Sequence, residues 1–250
     1  MLDLDPLYFR FFGIGEDQLT SFLACQLGLN HSNDVYFTKV DRGEVVLELL
    51  VIHGSRDWLR SLIARSLSKY LIGVGRTGSL EAVVGHQLIK RHLSVTSAES
   101  LTAGQFQSLL GRVPGISSVF PGGLVTYSNQ AKHRLLAIPW SVIHRYGVVS
   151  RSVAKWMALR SREIMRTDLA VSFTGVAGPA SLEGHPAGTV WIGLATKQTV
   201  SARLYRLVPL ARQLATFRSN SEFHAGLRNS IRLLSAKTGL KLINDELNRH

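Results

Sequence analysis

The run Ser94-Val95-Thr96-Ser97 constrains this chain most. It is a short β-type stretch that breaks, at Ala98-Glu99-Ser100-Leu101-Thr102-Ala103-Gly104, into a helical pattern reaching Leu110. A strand that turns into a helix at a cluster of hydroxyls offers the new helix's free N–H groups to an anion or a developing oxyanion. Small residues at Ala103 and Gly104 let a ligand or a second backbone come close. The same residues also suit an ordinary helix cap, because Ser and Thr favour that position.

The following segment adds a second set of groups. Phe120-Pro121-Gly122-Gly123 reads as a turn, Leu124 to Tyr127 as a short strand and Ser128 to Leu136 as a helix. Tyr127 and Lys132 then flank the start of that helix. A lysine desolvated beside an apolar strand loses its proton near neutral pH and can activate a serine hydroxyl. On a solvated face it is an ordinary surface lysine.

Composition narrows the classes of function. With 250 residues, 45% hydrophobic and 18% charged, the chain can bury one large or two small cores. Its longest apolar run, LELLVI at 47–52, falls far short of a membrane span, and the N-terminus lacks the order of a signal peptide. A soluble, cytoplasmic protein without membrane partners is expected. The single cysteine, Cys25, excludes an internal disulfide and a cysteine-based zinc site, and its apolar neighbours predict a buried thiol. Nine histidines without ligand spacing predict no metal site. The scarcity of carboxylates argues against a paired-carboxylate hydrolase.

The net charge of +12 is unevenly placed. Up to Gly75 there are seven Lys/Arg against nine Asp/Glu, and from Arg76 onward 22 against eight. The basic second part suits an anionic small substrate or a nucleic acid, and charge alone does not choose between them.

In chain order, residues 5–14 suggest a strand. A helix carrying Leu19, Phe22, Leu23 and Leu27 follows and ends near Gly28. Val35 to Val40 and Val45 to His53 form a hairpin through Asp41-Arg42-Gly43-Glu44. Ser55 caps a helix with Trp58, Leu59, Leu62, Ile63, Leu67 and Tyr70 on one side. This β-α-β-β-α order defines a small α+β domain over 1–75. Gly75-Arg76-Thr77-Gly78 fits the G-x-x-G of nucleic-acid-binding KH domains, but its simpler role is a hinge before a helix capped by Ser79. From 76 to 250 helices and strands alternate, which predicts a three-layer α/β/α domain. Helix 80–92 leads into the central stretch, Ser150 caps a long helix, and Leu169 to Thr174 is a buried strand. It ends in Gly175-Val176-Ala177-Gly178-Pro179, a loop of the kind that builds ligand pockets. Thr189 to Ala195 and Arg203 to Val208 are further strands, and Ala211 to about Leu234 is helical.

The segments AESLTAG, VPGISSVFPGGLVTYSNQAK, LLAIP, YGVVS, VSFTGVAGP and PAGTVWIGLA, in that order, resemble the C-terminal domain of the CinA family. That family includes the PncC-type nicotinamide-mononucleotide amidohydrolases. FFGIGEDQL and the hairpin after it resemble the KH-type linker domain of full-length members. The 250 residues hold no counterpart of those members' large molybdopterin-binding-like domain, so the pyrophosphatase activity tied to it is not expected.

The resemblance implies hydrolysis of a nucleotide carboxamide, without metal or organic cofactor, by Ser100 as nucleophile, Lys132 as base and Tyr127 as an orienting or relaying group. Thr102 and nearby backbone N–H groups would face the oxyanion. Substrate contacts are expected from Glu99, Thr102, Gly104, Gly122, Gly123, Thr174, Gly175, Gly178 and His185, and a homodimer is expected by family likeness. A non-catalytic competence or DNA-repair role through protein or nucleic-acid contacts is the alternative. Two segments depart from the family pattern. In 180–186, Ala-Ser-Leu-Glu-Gly-His-Pro replaces a loop that commonly carries extra glycines and a lysine, and at 219–225 both arginines of a G-[DN]-R-x-x-[VI]-R pattern are read as missing.

Overall fold

A computed structural model describes residues 5–29, 35–50, 55–76, 78–213 and 220–249. The chain forms two compact units, Met1–Val83 and Val84–His250.

The first unit runs β1 (Leu7–Phe12), α1 (Glu16–Leu27), β2 (Val35–Asp41), β3 (Glu44–Leu50), α2 (Arg56–Ser66) and β4 (Leu71–Val74). Its antiparallel sheet has the order β2-β3-β1-β4. β2 and β3 pair from Val35 opposite Leu50 to Asp41 opposite Glu44, so the tight turn after Asp41 sets the register. Alternation along β1 sends Phe9 and Phe11 into a core with Leu19 and Leu23 of α1 and Leu59 and Ile63 of α2. β4 escapes a reading of hydrophobic pattern because it is only four residues long. Trp58, placed by spacing on the packed side of α2, is 58% exposed. Cys25 lies on the outer face of α1 and is exposed, which corrects the expectation of a buried thiol. Leu19 and Leu23 take the inner stripe of that helix instead.

Of the G-x-x-G segment, Thr77 lies outside the described residues. Gly75 has φ +90° and donates its N–H to the Tyr8 carbonyl, while Arg76 stacks over the Tyr8 ring and donates to its hydroxyl. The first amide of α3 (Leu80–Arg91) donates to the buried Glu44 carboxylate, which Arg10 also pairs at 2.7 Å.

The second unit continues through β5 (Val95–Glu99), α4 (Gln105–Leu110), β6 (Leu124–Val125), α5 (Asn129–Leu136), α6 (Trp140–Tyr146) and α7 (Arg151–Met165). β7 (Leu169–Gly175), β8 (Thr189–Ala195), β9 (Val200–Arg206), α8 (Val208–Gln213) and α9 (Asn220–Leu247) complete it. Its sheet order is β6-β5-β7-β8-β9, with β5 parallel to both neighbours and β8 and β9 antiparallel.

The buried strand β7 explains the three layers. Ser172 and Thr174 point to one face, where their hydroxyls donate to the carbonyls of Ala154 and Val148, each at 2.6 Å. Val171 and Phe173 point to the other face, where a Cβ on Gly239 of α9 would lie 2.4 Å from the Phe173 ring. The glycine lets helix and sheet close, and full burial of Phe173 contributes about 2–3 kcal/mol. Val153, Ala154, Met157 and Ala158 form the buried stripe of α7, while Ile164, expected to pack, is 43% exposed.

Candidate active site

The parallel pairing sets up the site. Ala98 stands opposite Leu124 and Glu99 opposite both Val125 and Phe173, so the chain leaves β5, β6 and β7 at one edge of the sheet. Ser100 follows β5 directly, its N–H donating to the Phe173 carbonyl at 3.0 Å. Ser128 caps α5 by accepting the Ala131 N–H, and Lys132 follows one turn later. With β6 beside β5, that turn of helix carries Lys132 to Ser100.

The Lys132 ammonium is 1% exposed and has three acceptors: Ser100 Oγ at 3.0 Å and the carbonyls of Thr126 and Tyr127 at 2.9 and 3.3 Å. Burial pushes its pKa down to about 8, against a smaller upward pull from Glu183. A lysine at that value is deprotonated for an appreciable fraction of the time near neutral pH, with its lone pair within reach of a serine hydroxyl. Such a pair can activate the serine as a nucleophile.

Ser100, Lys132 and Tyr127 line one cavity of about 370 Å³ with Thr174 and Gly175 at the end of β7 and Gly178 of the loop after it. Gly175 is needed for close approach, since a Cβ there would lie 2.5 Å from the Thr189 carbonyl oxygen. Tyr127 divides its two ends. Its carbonyl belongs to the cradle around Lys132, whereas its half-exposed side chain accepts a hydrogen bond on Oη from Arg228 at 3.0 Å.

The other expected contacts are absent from the cavity lining. Glu99 is fully buried and accepts the N–H groups of Phe106 and Gln107 at 3.2 and 3.0 Å, so it ties the start of α4 to the sheet. α4 itself begins at Gln105, behind Gly104 at φ +88°, and Ser100 to Gly104 form a turn instead of a helix cap. Thr102 is buried in that turn, and its carbonyl accepts from Arg232. Gly122 gives its carbonyl to Thr96, and Gly123 packs against Ser97 and Gln107. His185 pairs backbone to backbone with Leu182 in a small turn, and Glu183 of that turn reaches the cavity in its place.

The arginine pattern stands seven residues further along than 219–225, whose side chains lie outside the described residues. Gly226-Leu227-Arg228-Asn229-Ser230-Ile231-Arg232 fits it, with Leu227 at the one departing position. Arg228 lines the cavity and donates to the Gly178 carbonyl as well as to Tyr127. Arg232 donates to the carbonyls of Leu101 and Thr102 at 3.2 and 3.1 Å, holding the turn that presents Ser100. The signal was in the sequence, and the spacing between the two arginines would have found it.

Residues 77–247 match the CinA C-terminal domain family. A relative from Levilactobacillus brevis named as a competence-damage inducible protein is 45% identical over 96% of this chain, and one of the same name from Lactiplantibacillus plantarum is 40% identical over 96%. The chain spans about half the length of these relatives, 55% and 54%. A crystal structure of a CinA-superfamily protein from Escherichia coli is similar at 29% identity and TM-score 0.53, covering 65% of this chain and 88% of its own. A competence/damage inducible protein structure from Agrobacterium tumefaciens is similar at 28% identity and TM-score 0.56, covering 69% and 98%. The chain belongs to the CinA family, carrying its C-terminal domain at residues 77–247.

Proposed function

We propose that the second unit is an amidohydrolase acting on a nucleotide carboxamide, with nicotinamide mononucleotide as the leading substrate. The observation that carries this reading is the buried Lys132 ammonium at 3.0 Å from Ser100 Oγ, with burial holding its pKa near 8. Neutral Lys132 takes the Ser100 proton as Oγ adds to the amide carbon. The C–N bond then breaks, and the nitrogen leaves as ammonia with a proton returned from Lys132. Water attacks the resulting ester, Lys132 takes a proton from that water, and Ser100 regains its own as the acid leaves.

Arg228 is the phosphate ligand in this reading, with Tyr127 as its neighbour at the cavity mouth. This reading gives the Tyr127 side chain to substrate positioning; its hydroxyl is committed to Arg228, away from the Ser100–Lys132 pair. The test compares ammonia release from nicotinamide mononucleotide by wild type and Ser100→Ala. Equal rates, or none from folded wild type across several amides, would sink the proposal.

A second reading, contact with nucleic acid, is favoured by the 22 basic against eight acidic residues from Arg76 onward. Some of these charges are used inside the fold, since Arg160 and Arg162 donate to the carbonyls of Leu136 and Thr167. A gel shift with single-stranded DNA that weakens steeply with salt would support it.

A further inference from the structure

The 180–186 segment departs from the family pattern, and one of its residues is built into the cavity wall. Glu183 sits at φ +51°, an unfavourable backbone region for a residue with a side chain. Both of its carboxylate oxygens are engaged: Oε1 accepts the Val148 N–H and Oε2 the Val149 N–H, each at 3.0 Å. Gly147, at φ +70°, makes room for them, because a Cβ there would lie 2.5 Å from Glu183 Oε2. Val148 also accepts the Thr174 hydroxyl, so the same short strip of backbone holds the end of β7 and the loop.

We propose that Glu183 is a positioning residue that latches the 180–186 loop onto Val148 and Val149 as the cavity wall and sets a fixed negative charge across the cavity from Lys132. The part of this that concerns catalysis rests on the amidohydrolase reading; the latch and its charge do not. Glu183 is the one acidic residue lining the cavity among the described residues. Facing Lys132 from the other elements are the Ser100 hydroxyl after β5, the Thr126 and Tyr127 carbonyls before α5 and, beyond the Tyr127 hydroxyl, Arg228 of α9. Glu99, next to Ser100 in sequence, directs its carboxylate to α4. His133, next to Lys132 on α5, bonds the Ile138 carbonyl and packs against Trp140. The attraction of Glu183 for the charged amine favours the protonated base and opposes the effect of burial. The wall thus has two consequences: it shapes the cavity, and it limits how far the base is depressed.

The experiment follows Lys132 itself by NMR of lysine labelled at Cε, with its resonance identified by its loss in Lys132→Arg, in wild type, Glu183→Gln and Glu183→Ala. Both substitutions are expected to lower the Lys132 titration midpoint by roughly half a unit. Hydrogen exchange at the Val148 and Val149 amides is expected to quicken about tenfold or more in Glu183→Ala and less in Glu183→Gln, which keeps one acceptor. Unchanged midpoints in two folded variants would overturn the charge role, and unchanged exchange would overturn the latch. Neither readout needs turnover, so a folded protein that hydrolyses no amide would refute the enzymatic reading and leave this result standing. In an active protein, the acid limb of kcat/KM moves down with the lysine midpoint, which a purely architectural Glu183 would not cause.

Discussion

Arg228 and Tyr127, 101 positions apart in sequence, meet at 3.0 Å between a guanidinium nitrogen and the phenol oxygen. The guanidinium also bonds the Gly178 carbonyl, so one side chain of α9 joins the entry to α5 and the loop after β7 around a single cavity. Arg228→Ala should raise KM for a phosphate-bearing amide roughly ten- to a hundredfold, the scale of ~1.5–3 kcal/mol for hydrogen bonds to charged groups. KM for the matching nucleoside should change little. Steady-state kinetics on the two substrates check this, and equal losses on both would remove Arg228 as the phosphate ligand.

On the amidohydrolase reading, Ser100→Ala should lower kcat by at least roughly a thousandfold while the fold is kept, because the proposed attacking oxygen is lost and no core contact goes with it. Ammonia release and a far-UV spectrum measured together check it.

The pH dependence follows from Lys132. Its pKa in the folded protein, about 8, lies below its ordinary value of 10.5, so kcat/KM should rise with pH through about 8 as the base is freed. Stability should also rise with pH from about 8 to 10.5, because there the unfolded chain binds the extra proton. Lys132→Met should abolish turnover. It should also raise thermal stability at neutral pH, where burying the charge costs roughly 3 kcal/mol before its hydrogen bonds offset part of it. Calorimetry at pH 7 and pH 10 is the check: the advantage of the variant should shrink at the higher pH.

Asp168 behaves in the opposite sense. Partial burial would raise its pKa, but the Lys197 ion pair at 2.7 Å and the Ser94 hydroxyl and N–H at 2.7 and 2.8 Å hold it down to about 2. Its stabilising effect should be complete above about pH 4 and be lost as pH falls towards 2. Lys197 is 66% exposed, so most of the effect comes from Ser94, which links the approaches to β5 and β7. Asp168→Asn should cost about 1–2 kcal/mol at pH 7 and nothing below pH 2, read by denaturant unfolding.

Cys25 should react with a disulfide reagent in the folded protein, with one thiol titrated before unfolding. Failure to react until denaturant is added would place it in the core after all.

Much of the second unit was legible because its signals are local. Ser150 caps α7 where the sequence places a cap, α5 starts within one residue of the expected Ser128, and the apolar run at Leu169 marks the buried strand. Errors arose where a pattern was short or shared. β4 is too brief for periodicity, β6 stops at Val125, short of the expected Tyr127, and α6 follows Pro139 with no side-chain cap. The hydroxyl-rich turn after β5 imitates a helix start, while the helix waits for Gly104. Among the substrate contacts that the resemblance implied, Glu99 turns away from the cavity, because its carboxylate accepts the amides of Phe106 and Gln107.

The sequence by itself determined the residue types of the site and their local posture: a serine just past a strand, a lysine one turn inside a capped helix, and glycines where β7 ends. Caps, turns and strand periods act over a few residues, so they can be read along the chain. Only the tertiary structure decided which of these groups meet. Parallel pairing of β5 with β6 brings Lys132 to Ser100, and burial, a property of packed neighbours, depresses its pKa. The cavity wall came from still farther away, with Arg228 and Glu183 held by backbone carbonyls and amides that no local pattern announces.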